Sequence, residues 1–148
     1  GMAHIGYIDK KSTPVKVDRP AGLSPSDKVK KVEVGIWHSC MLMNSGRVFC
    51  WGTNTYGHLG ANLALGALPN NRSVKPIPIL VGTGGIPAGE RIIDLAAGAN
   101  RGCAVVENGR SYCWGLNDAG QIGDGTHIDA RAPTESLFLR PTQNRYIY

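Results

Sequence analysis

The chain has 148 residues, of which 42% are hydrophobic, and its formal net charge at pH 7 is +5. A chain of this length forms one domain with a modest core, and no apolar stretch approaches the roughly 20 residues of a membrane-spanning helix. The 20 glycines and 9 prolines are spread along the sequence, which is typical of short strands joined by tight turns. We therefore expect an all-β protein without a membrane partner.

The basic residues near the start of the chain raise the question of nucleic-acid binding. Residues 1–31 contain 7 lysines and arginines and only 3 aspartates. A basic patch attracts nucleic acid, but these residues flank prolines and are not interleaved with aromatic side chains. We interpret the segment as a solvated connector and do not expect a nucleic-acid partner.

Two segments of the chain, 32–60 and 95–123, repeat each other at an offset of 63 residues without a gap. Self-similarity at a fixed spacing indicates a repeat architecture, in which each unit packs its apolar face against its neighbours. The closing tripeptide of the repeat occurs three times, as His4-Ile5-Gly6, His58-Leu59-Gly60 and Gln121-Ile122-Gly123. We predict a single repeat domain over 1–148, divided into the tail of a preceding repeat (4–17), a first full repeat (18–80), a second full repeat (81–137) and a C-terminal tail (138–148).

Strand signals recur in chain order within each repeat. Val32, Val34 and Ile36 alternate with polar or small residues, which predicts a strand with one buried face. The turn residues at 44–46 and 107–109 end in glycine, which is typical of the three-residue loop of a β-hairpin. The predicted strands are 31–36, 38–43, 47–52, 75–80, 91–97, 102–106 and 110–115.

This hairpin register places Cys40 opposite Cys50 and Cys103 opposite Cys113, at non-hydrogen-bonded positions. The Cα atoms of such pairs lie about 4.5 Å apart, which a disulfide accepts. Four reduced cysteines packed as small apolar groups are the alternative, and a zinc site is a further one, although ligand pairs for zinc are normally closer in sequence. We predict two disulfides. Paired cysteines favour an extracytoplasmic compartment, although the chain shows no signal peptide.

Both repeats contain the pattern Trp-Gly-x-Asn-x-x-Gly-x-Leu/Ile-Gly, which resembles the repeat of the regulator of chromosome condensation family. The cysteine-bearing version looks like those of secreted or surface proteins of bacteria. The resemblance implies that each repeat forms a four-stranded blade of a β-propeller. It also implies structural roles for the motif: glycines at sharp turns, asparagines that bond nearby backbone, and tryptophans between neighbouring blades. These positions are Trp51, Gly52, Asn54, Gly57 and Gly60, and again Trp114, Gly115, Asn117, Gly120 and Gly123.

Both repeats exceed the usual length of the family, through insertions at 61–73 and 82–90. Such insertions are expected on one rim of a propeller, where partners bind. The first insertion contains leucines that no predicted strand or helix uses. We predict a partner-binding loop formed by Leu63, Leu65, Leu68, Asn70 and Arg72.

No set of residues predicts catalysis. The glycine-rich segment 81–86 lacks the lysine and the helix of a phosphate-binding loop, and the four histidines do not fall at metal-ligand spacings. Asp124 gives a faint match to a calcium site that a turn explains equally well. The best-known activity of the family, guanine-nucleotide exchange, depends on a protruding wedge and a complete ring that have no match here. We expect no catalytic residue, no metal and no cofactor.

The sequence therefore predicts a non-catalytic protein-interaction module that binds an unidentified protein through its rim loops. Two blades alone leave open faces and strand edges, so we also expect a homo-oligomer, or a slice of a longer array. The alternative function is a purely structural unit that assembles with itself into a ring. A third class is an enzyme that uses the propeller channel.

Overall fold

The computed structural model describes residues 13–137, and these residues form an all-β structure, as predicted. A short 3-10 turn at Pro69–Asn71 precedes the fourth strand. The strands are β1 (Val29–Val34), β2 (His38–Met43), β3 (Val48–Thr53), β4 (Arg72–Pro78), β5 (Ile92–Ala97), β6 (Arg101–Val106), β7 (Ser111–Gly115) and β8 (Ala130–Glu135).

The strands make two four-stranded antiparallel sheets, in the orders β1-β2-β3-β4 and β5-β6-β7-β8. Three strands differ from the sequence prediction by more than one residue. β1 is shifted by two residues, to Val29–Val34 from the predicted 31–36. β4 begins at Arg72 and not at residue 75, and β8 was not predicted at all. Both contain proline, which removes a ladder donor and is confined to strand edges and bulges, so the usual strand signal is weak there.

The two central hairpins have the predicted register. Cys40 lies opposite Cys50 and Cys103 lies opposite Cys113. Each turn ends in a glycine with positive φ, Gly46 at 84° and Gly109 at 88°, a conformation that glycine adopts without a Cβ clash. The sulfur atoms of the two cysteine pairs lie at disulfide distance, 2.11 Å and 2.19 Å.

The side chains of β2 and β3 divide the first sheet into two faces. One face packs against the second sheet, and we call it the trailing face. The other lies on the opposite side of the first sheet, and we call it the leading face. The leading face consists of Met41, Met43, Phe49 and Trp51, and the trailing face of Cys40, Leu42, Val48 and Cys50. At the 63-residue offset, the leading face of the second sheet consists of Ala104, Val106, Tyr112 and Trp114, all in one core cluster with that trailing face. The main core therefore lies between the two sheets.

The prediction that Val32, Val34 and Ile36 form a buried face of β1 is wrong, because all three are exposed. Val32 is 53% exposed, whereas its counterpart Leu95 in the second sheet is 1% exposed. A strand buries its apolar side only where another layer covers it. The first sheet covers the second, but no sheet of the described residues covers the leading side of β1.

The sequence analysis expected both insertions on one rim, and the structure does not place them there. The segment after β3 leaves one end of the first sheet, and the segment after β4 leaves the other end, because neighbouring strands are antiparallel. The predicted repeat tails at residues 4–12 and 138–148 lie outside the described residues. Among the described residues, the structure has no helix long and apolar enough to span a membrane.

Candidate interaction surface

The junction between the two sheets is organised around Trp114. Its indole is fully buried, and its Nε1–H donates a hydrogen bond to the His58 carbonyl at 2.9 Å. Gly60 and Gly102 lie against the ring, because a Cβ on either would be within 3.1 Å of ring atoms. This is the position between neighbouring blades that the family resemblance implies for this tryptophan. Its counterpart Trp51 lies on the leading face beside Val17 and Leu23.

The two motif asparagines hold the turns that follow β3 and β7. Asn54 Oδ1 accepts the Leu59 N–H at 3.1 Å, and Asn117 Oδ1 accepts the Ile122 N–H at 2.9 Å. Asn117 is completely buried, and its amide also donates to the Ile128 carbonyl at 3.0 Å. These side chains replace backbone hydrogen bonds that the sharp turns cannot form. These contacts are structural.

Two buried histidines from the first repeat meet at the same junction, which the sequence analysis did not anticipate. The ring centroids of His38 and His58 lie 5.3 Å apart. His58 Nδ1 accepts the Tyr56 N–H, so Nε2 carries the proton that it donates to Asn100 Oδ1. Neither ring nitrogen of His38 has a hydrogen-bond partner of good geometry among the described residues, although the Arg101 backbone lies close enough for a weak interaction. The one sequence signal was that His38 becomes Arg101 in the second repeat.

Burial, together with the neighbouring His58, lowers the pKa of His38 to about 4, while the backbone of Arg101 opposes this change. The unfolded chain keeps the ordinary histidine pKa near 6.5. Above that pH His38 is neutral in both states. As the pH falls from 6.5 to 4, only the unfolded chain binds the proton, so acid favours unfolding.

We therefore predict that acidification from pH 6.5 to pH 4 lowers the free energy of unfolding by about 3 kcal/mol through His38. Urea titrations at several pH values measure this loss. The His38→Gln variant is expected to flatten the pH dependence, whereas substitution of the exposed His127 by glutamine leaves it intact. If the free energy of unfolding of the His38→Gln variant fell with pH as steeply as that of the unchanged chain, His38 would not be the group responsible for the loss.

The first insertion has an unusual backbone for its residue types. Three residues other than glycine have positive φ in the described chain, and all three are asparagines of this segment: Asn62 at 54°, Asn70 at 50° and Asn71 at 51°. Asparagine tolerates the left-handed region better than most residues, but each instance still costs free energy. Strained residues concentrate at functional loops, so this cluster marks the insertion as a candidate site.

The predicted loop residues have different environments. Leu68 packs against the main core, and Leu63 is half-buried, with its carbonyl accepting a hydrogen bond from the Arg131 guanidinium at 3.2 Å. Leu65 is 61% exposed. Arg72 lies in β4, and its Nε is buried without a hydrogen-bond partner among the described residues. Asn70 lies in the 3-10 turn beside it. Leu63 and Leu68 thus anchor the insertion, and Leu65 is exposed to solvent.

A groove of about 680 Å³ runs beside the end of this insertion and along the start of β4. The described residues of its lining combine apolar surface with two cations and include no acidic residue. The lining residues are Leu68, Pro69, Asn70, Arg72, Ser73, Val74 and Lys75. Half of the Val74 side chain faces solvent. We call this surface the β4 groove.

The second insertion is anchored in the core by one residue. Ile86 is fully buried in the main cluster and forms an isolated bridge with Val81. The remaining residues form a compact turn in which the Gly82 N–H donates to the Ile86 carbonyl at 2.7 Å. The prediction that this segment is exposed is therefore only partly right, because its central isoleucine is anchored.

The turn around Asp124 is held by internal contacts. The carboxylate accepts hydrogen bonds from the Thr126 N–H and hydroxyl, each at 2.9 Å through Oδ1. These bonds help to hold the pKa of Asp124 below its ordinary value, against the opposing effect of burial. Within residues 13–137 no group of three or more histidine, cysteine, aspartate or glutamate side chains is placed to hold a metal ion.

The geometry defines the class of protein: each sheet is a four-stranded antiparallel blade of the β-propeller type, and the core lies between blades. Sequence profiles of the regulator of chromosome condensation (RCC1) repeat match residues 29–57, 92–121 and 45–105. The chain belongs to the RCC1 repeat family. The resemblance seen in the tryptophan–glycine motif is thereby confirmed.

The curated relatives are large proteins that contain such repeats. The chain is 35% identical over 126 residues to the E3 ubiquitin-protein ligase HERC2 of Homo sapiens, a match that covers 85% of this chain and 2% of HERC2. It is 32% identical over 119 residues to the probable E3 ubiquitin-protein ligase HERC3 of Homo sapiens, covering 80% of this chain and 10% of HERC3. The chain thus corresponds to a small part of these relatives.

Two solved structures have the same fold. Human WBSCR16 matches with a TM-score of 0.62 and 23% identity, over 74% of this chain and 26% of WBSCR16. Prp20p of Saccharomyces cerevisiae, described with its binding properties to Gsp1p and histones, matches with a TM-score of 0.62 and 21% identity. That match covers 81% of this chain and 27% of Prp20p. Both similarities confirm the fold.

Proposed function

We propose that this chain is a non-catalytic protein-interaction module that binds an extended segment of a protein partner in the β4 groove. The observation that carries the proposal is a groove whose described lining combines the half-exposed Val74 with two cations, Arg72 and Lys75, beside the left-handed Asn70. Exposed apolar groups beside strained backbone are typical of binding loops.

The lining of the groove indicates the chemistry of the partner. Arg72 brings a guanidinium whose Nε has no hydrogen-bond partner among residues 13–137, and Lys75 adds a second positive charge. A carboxylate binds a guanidinium through short, charge-assisted hydrogen bonds. Leu68 and Val74 supply apolar surface beside these charges. The segment that fits best therefore carries an aspartate or glutamate next to an apolar residue.

Similar proteins support an interaction role. Prp20p is described with its binding to Gsp1p and histones, and a second structure shows it bound to Kap60. These partners belong to Prp20p, and nothing assigns them to this chain. The E3 ligase activity named for the HERC relatives belongs to proteins of which this chain covers only 2% to 10%. For this chain we propose binding without catalysis.

A random peptide library displayed on phage provides a test that needs no knowledge of the natural partner. We expect the immobilised chain to enrich peptides with an acidic residue beside an apolar one. The Val74→Asp and Arg72→Met variants should each weaken binding of the enriched peptides by about tenfold or more, because Val74 is half-exposed in the lining of the groove and Arg72 supplies a guanidinium there.

The matched control is Ile128→Asp, since Ile128 is also apolar and is 74% exposed, but lies in the loop before β8. This variant should bind the peptides as the unchanged chain does. Near-ultraviolet circular dichroism checks that each variant is folded. Peptides that bind the Val74→Asp variant as tightly as the unchanged chain would contradict the proposal.

The alternative is self-assembly into a homo-oligomeric ring. The exposed leading side of the first sheet supports it. Val29 is 50% exposed there, whereas its counterpart Ile92 is 3% exposed because the first sheet covers it. A blade from a second copy would cover Val29 in the same way. Sedimentation at several protein concentrations tests this alternative: a species of 15.8 kDa at all concentrations excludes it.

A further inference from the structure

One arginine of the second blade binds the loop of the first blade that leads to the β4 groove. Arg131 lies in β8. Its guanidinium donates hydrogen bonds to three carbonyl groups of the first repeat, those of Asn54 at 3.3 Å, Thr55 at 2.8 Å and Leu63 at 3.2 Å. The Arg131 carbonyl in turn accepts the Asn62 N–H at 2.8 Å. A single residue of the second blade therefore holds both the turn after β3 and the start of the first insertion.

The backbone at this contact adopts a conformation that depends on its surroundings. Asn62 has a left-handed φ of 54°, and such residues persist only where neighbouring groups hold them. The turn also approaches β8 closely, because a Cβ on Gly57 would lie 2.6 Å from the Arg131 Cα. The second blade thus determines how the insertion begins.

Hydrogen bonds continue from this contact to the wall of the β4 groove. Asn54, whose carbonyl accepts the Arg131 guanidinium, donates its own N–H to the Asn71 carbonyl at 2.7 Å. The Asn71 N–H donates to the Leu68 carbonyl at 2.9 Å. Leu68 lines the groove, and so does Arg72, which follows Asn71 directly. Such a continuous set of contacts can transmit a change from one site to another.

We propose that Arg131 is a positioning residue for the β4 groove, which holds the insertion in the conformation that binds the partner segment. This inference rests on the binding function proposed above. The described lining of the groove does not include Arg131, so the guanidinium acts through the loop and not by touching the partner. When only a fraction of the molecules has the competent conformation, association slows in proportion, while dissociation of the bound segment is unchanged.

Binding kinetics of an enriched acidic peptide, measured by surface plasmon resonance on the full chain, test this inference. The Arg131→Gln variant should associate about tenfold more slowly and dissociate at the unchanged rate, because its loop is competent for only part of the time. The Arg72→Met variant loses a direct contact and should instead dissociate faster. A residue that acts through the loop and a residue that touches the peptide are thus distinguished.

Two further variants separate positioning from charge and from general loosening of the blades. Arg91→Gln is the matched control, because Arg91 also joins the blades through a guanidinium, which donates to the Asn44 carbonyl at 3.0 Å at the other end of the first sheet. It removes the same charge and should associate as the unchanged chain does. Arg131→Lys keeps the charge but not the planar fork, so association should stay slow.

Amide hydrogen exchange tests the hold on the loop without any peptide. The Gly66 N–H donates to Asn71 Oδ1 inside the insertion. In Arg131→Gln its exchange should become about tenfold faster, because the loop opens more often. The indole N–H of Trp114 should stay protected, which reports that the junction between the sheets is intact.

The outcomes distinguish failure of this inference from failure of the binding function. Normal binding by the unchanged chain, with an equal association rate in Arg131→Gln, would overturn the positioning role and leave the binding function in place. Faster dissociation of Arg131→Gln, full recovery in Arg131→Lys or equal exchange at Gly66 would also overturn it. Absence of saturable binding to the unchanged chain would overturn the binding function itself, and the positioning role with it.

Discussion

Substitution of Trp114 by alanine is expected to lower the free energy of unfolding by about 3–5 kcal/mol, because the indole is fully buried between the two sheets. The loss combines apolar area, a cavity in the only large core of the described residues, and the hydrogen bond to the His58 carbonyl. Single domains have a stability of about 5–15 kcal/mol, so this variant should be close to unfolding at room temperature. Urea titration followed by circular dichroism measures the change.

Two further variants separate the contributions at this junction. Trp114→Phe keeps most of the apolar contact and loses the hydrogen bond, so it should be destabilised less than Trp114→Ala. Ile128→Ala changes an exposed side chain and should shift the unfolding free energy by no more than about 0.5 kcal/mol. If Trp114→Ala were as stable as Ile128→Ala, Trp114 would not hold the blades together.

Reduction of the two predicted disulfides is the second change for which we expect a large loss of stability. Each cross-link closes a short hairpin and contributes about 3 kcal/mol in the chain-entropy model. Denaturation with and without a phosphine reductant should therefore show a large loss of stability on reduction. The pair Cys103–Cys113 should be reduced first, because Cys103 is half-buried, whereas Cys40 and Cys50 are fully enclosed between the sheets.

Alkylation and mass spectrometry identify which pair has been reduced at each reductant concentration. A variant with alanine at both Cys103 and Cys113 should retain only the more resistant pair, which provides the matched control. Labelling of all four cysteines in the denatured, unreduced protein would show that no disulfide forms. The extracytoplasmic location suggested by paired cysteines would then lose its basis.

The features that the sequence predicted well depend on local chemistry. The turn residues that end in Gly46 and Gly109 determine the register of each hairpin, and the register brings the cysteines opposite each other. The tryptophan–glycine motif was specific enough to indicate the family and hence the blade. Neither prediction required knowledge of distant contacts.

The features that the sequence missed depend on which layers cover which surfaces. Val32 and Leu95 occupy the same repeat position, yet one is exposed and the other buried, since within residues 13–137 a neighbouring sheet covers that side of the second sheet and none covers that side of the first. The contact between His38 and His58 joins a strand to a later turn, and no spacing rule connects them. Left-handed asparagines such as Asn62 could have been suspected, because asparagine is enriched in that conformation.

The central claim is that this two-blade chain binds a protein segment in the β4 groove. An NMR titration of the ¹⁵N-labelled chain with an enriched acidic peptide tests it without any substitution. We expect saturable shifts whose largest values fall at residues 62–75, with small changes at the opposite end of the sheet around Gly46. Largest shifts around Gly46 or at 82–90, or an absence of saturable shifts, would contradict the claim.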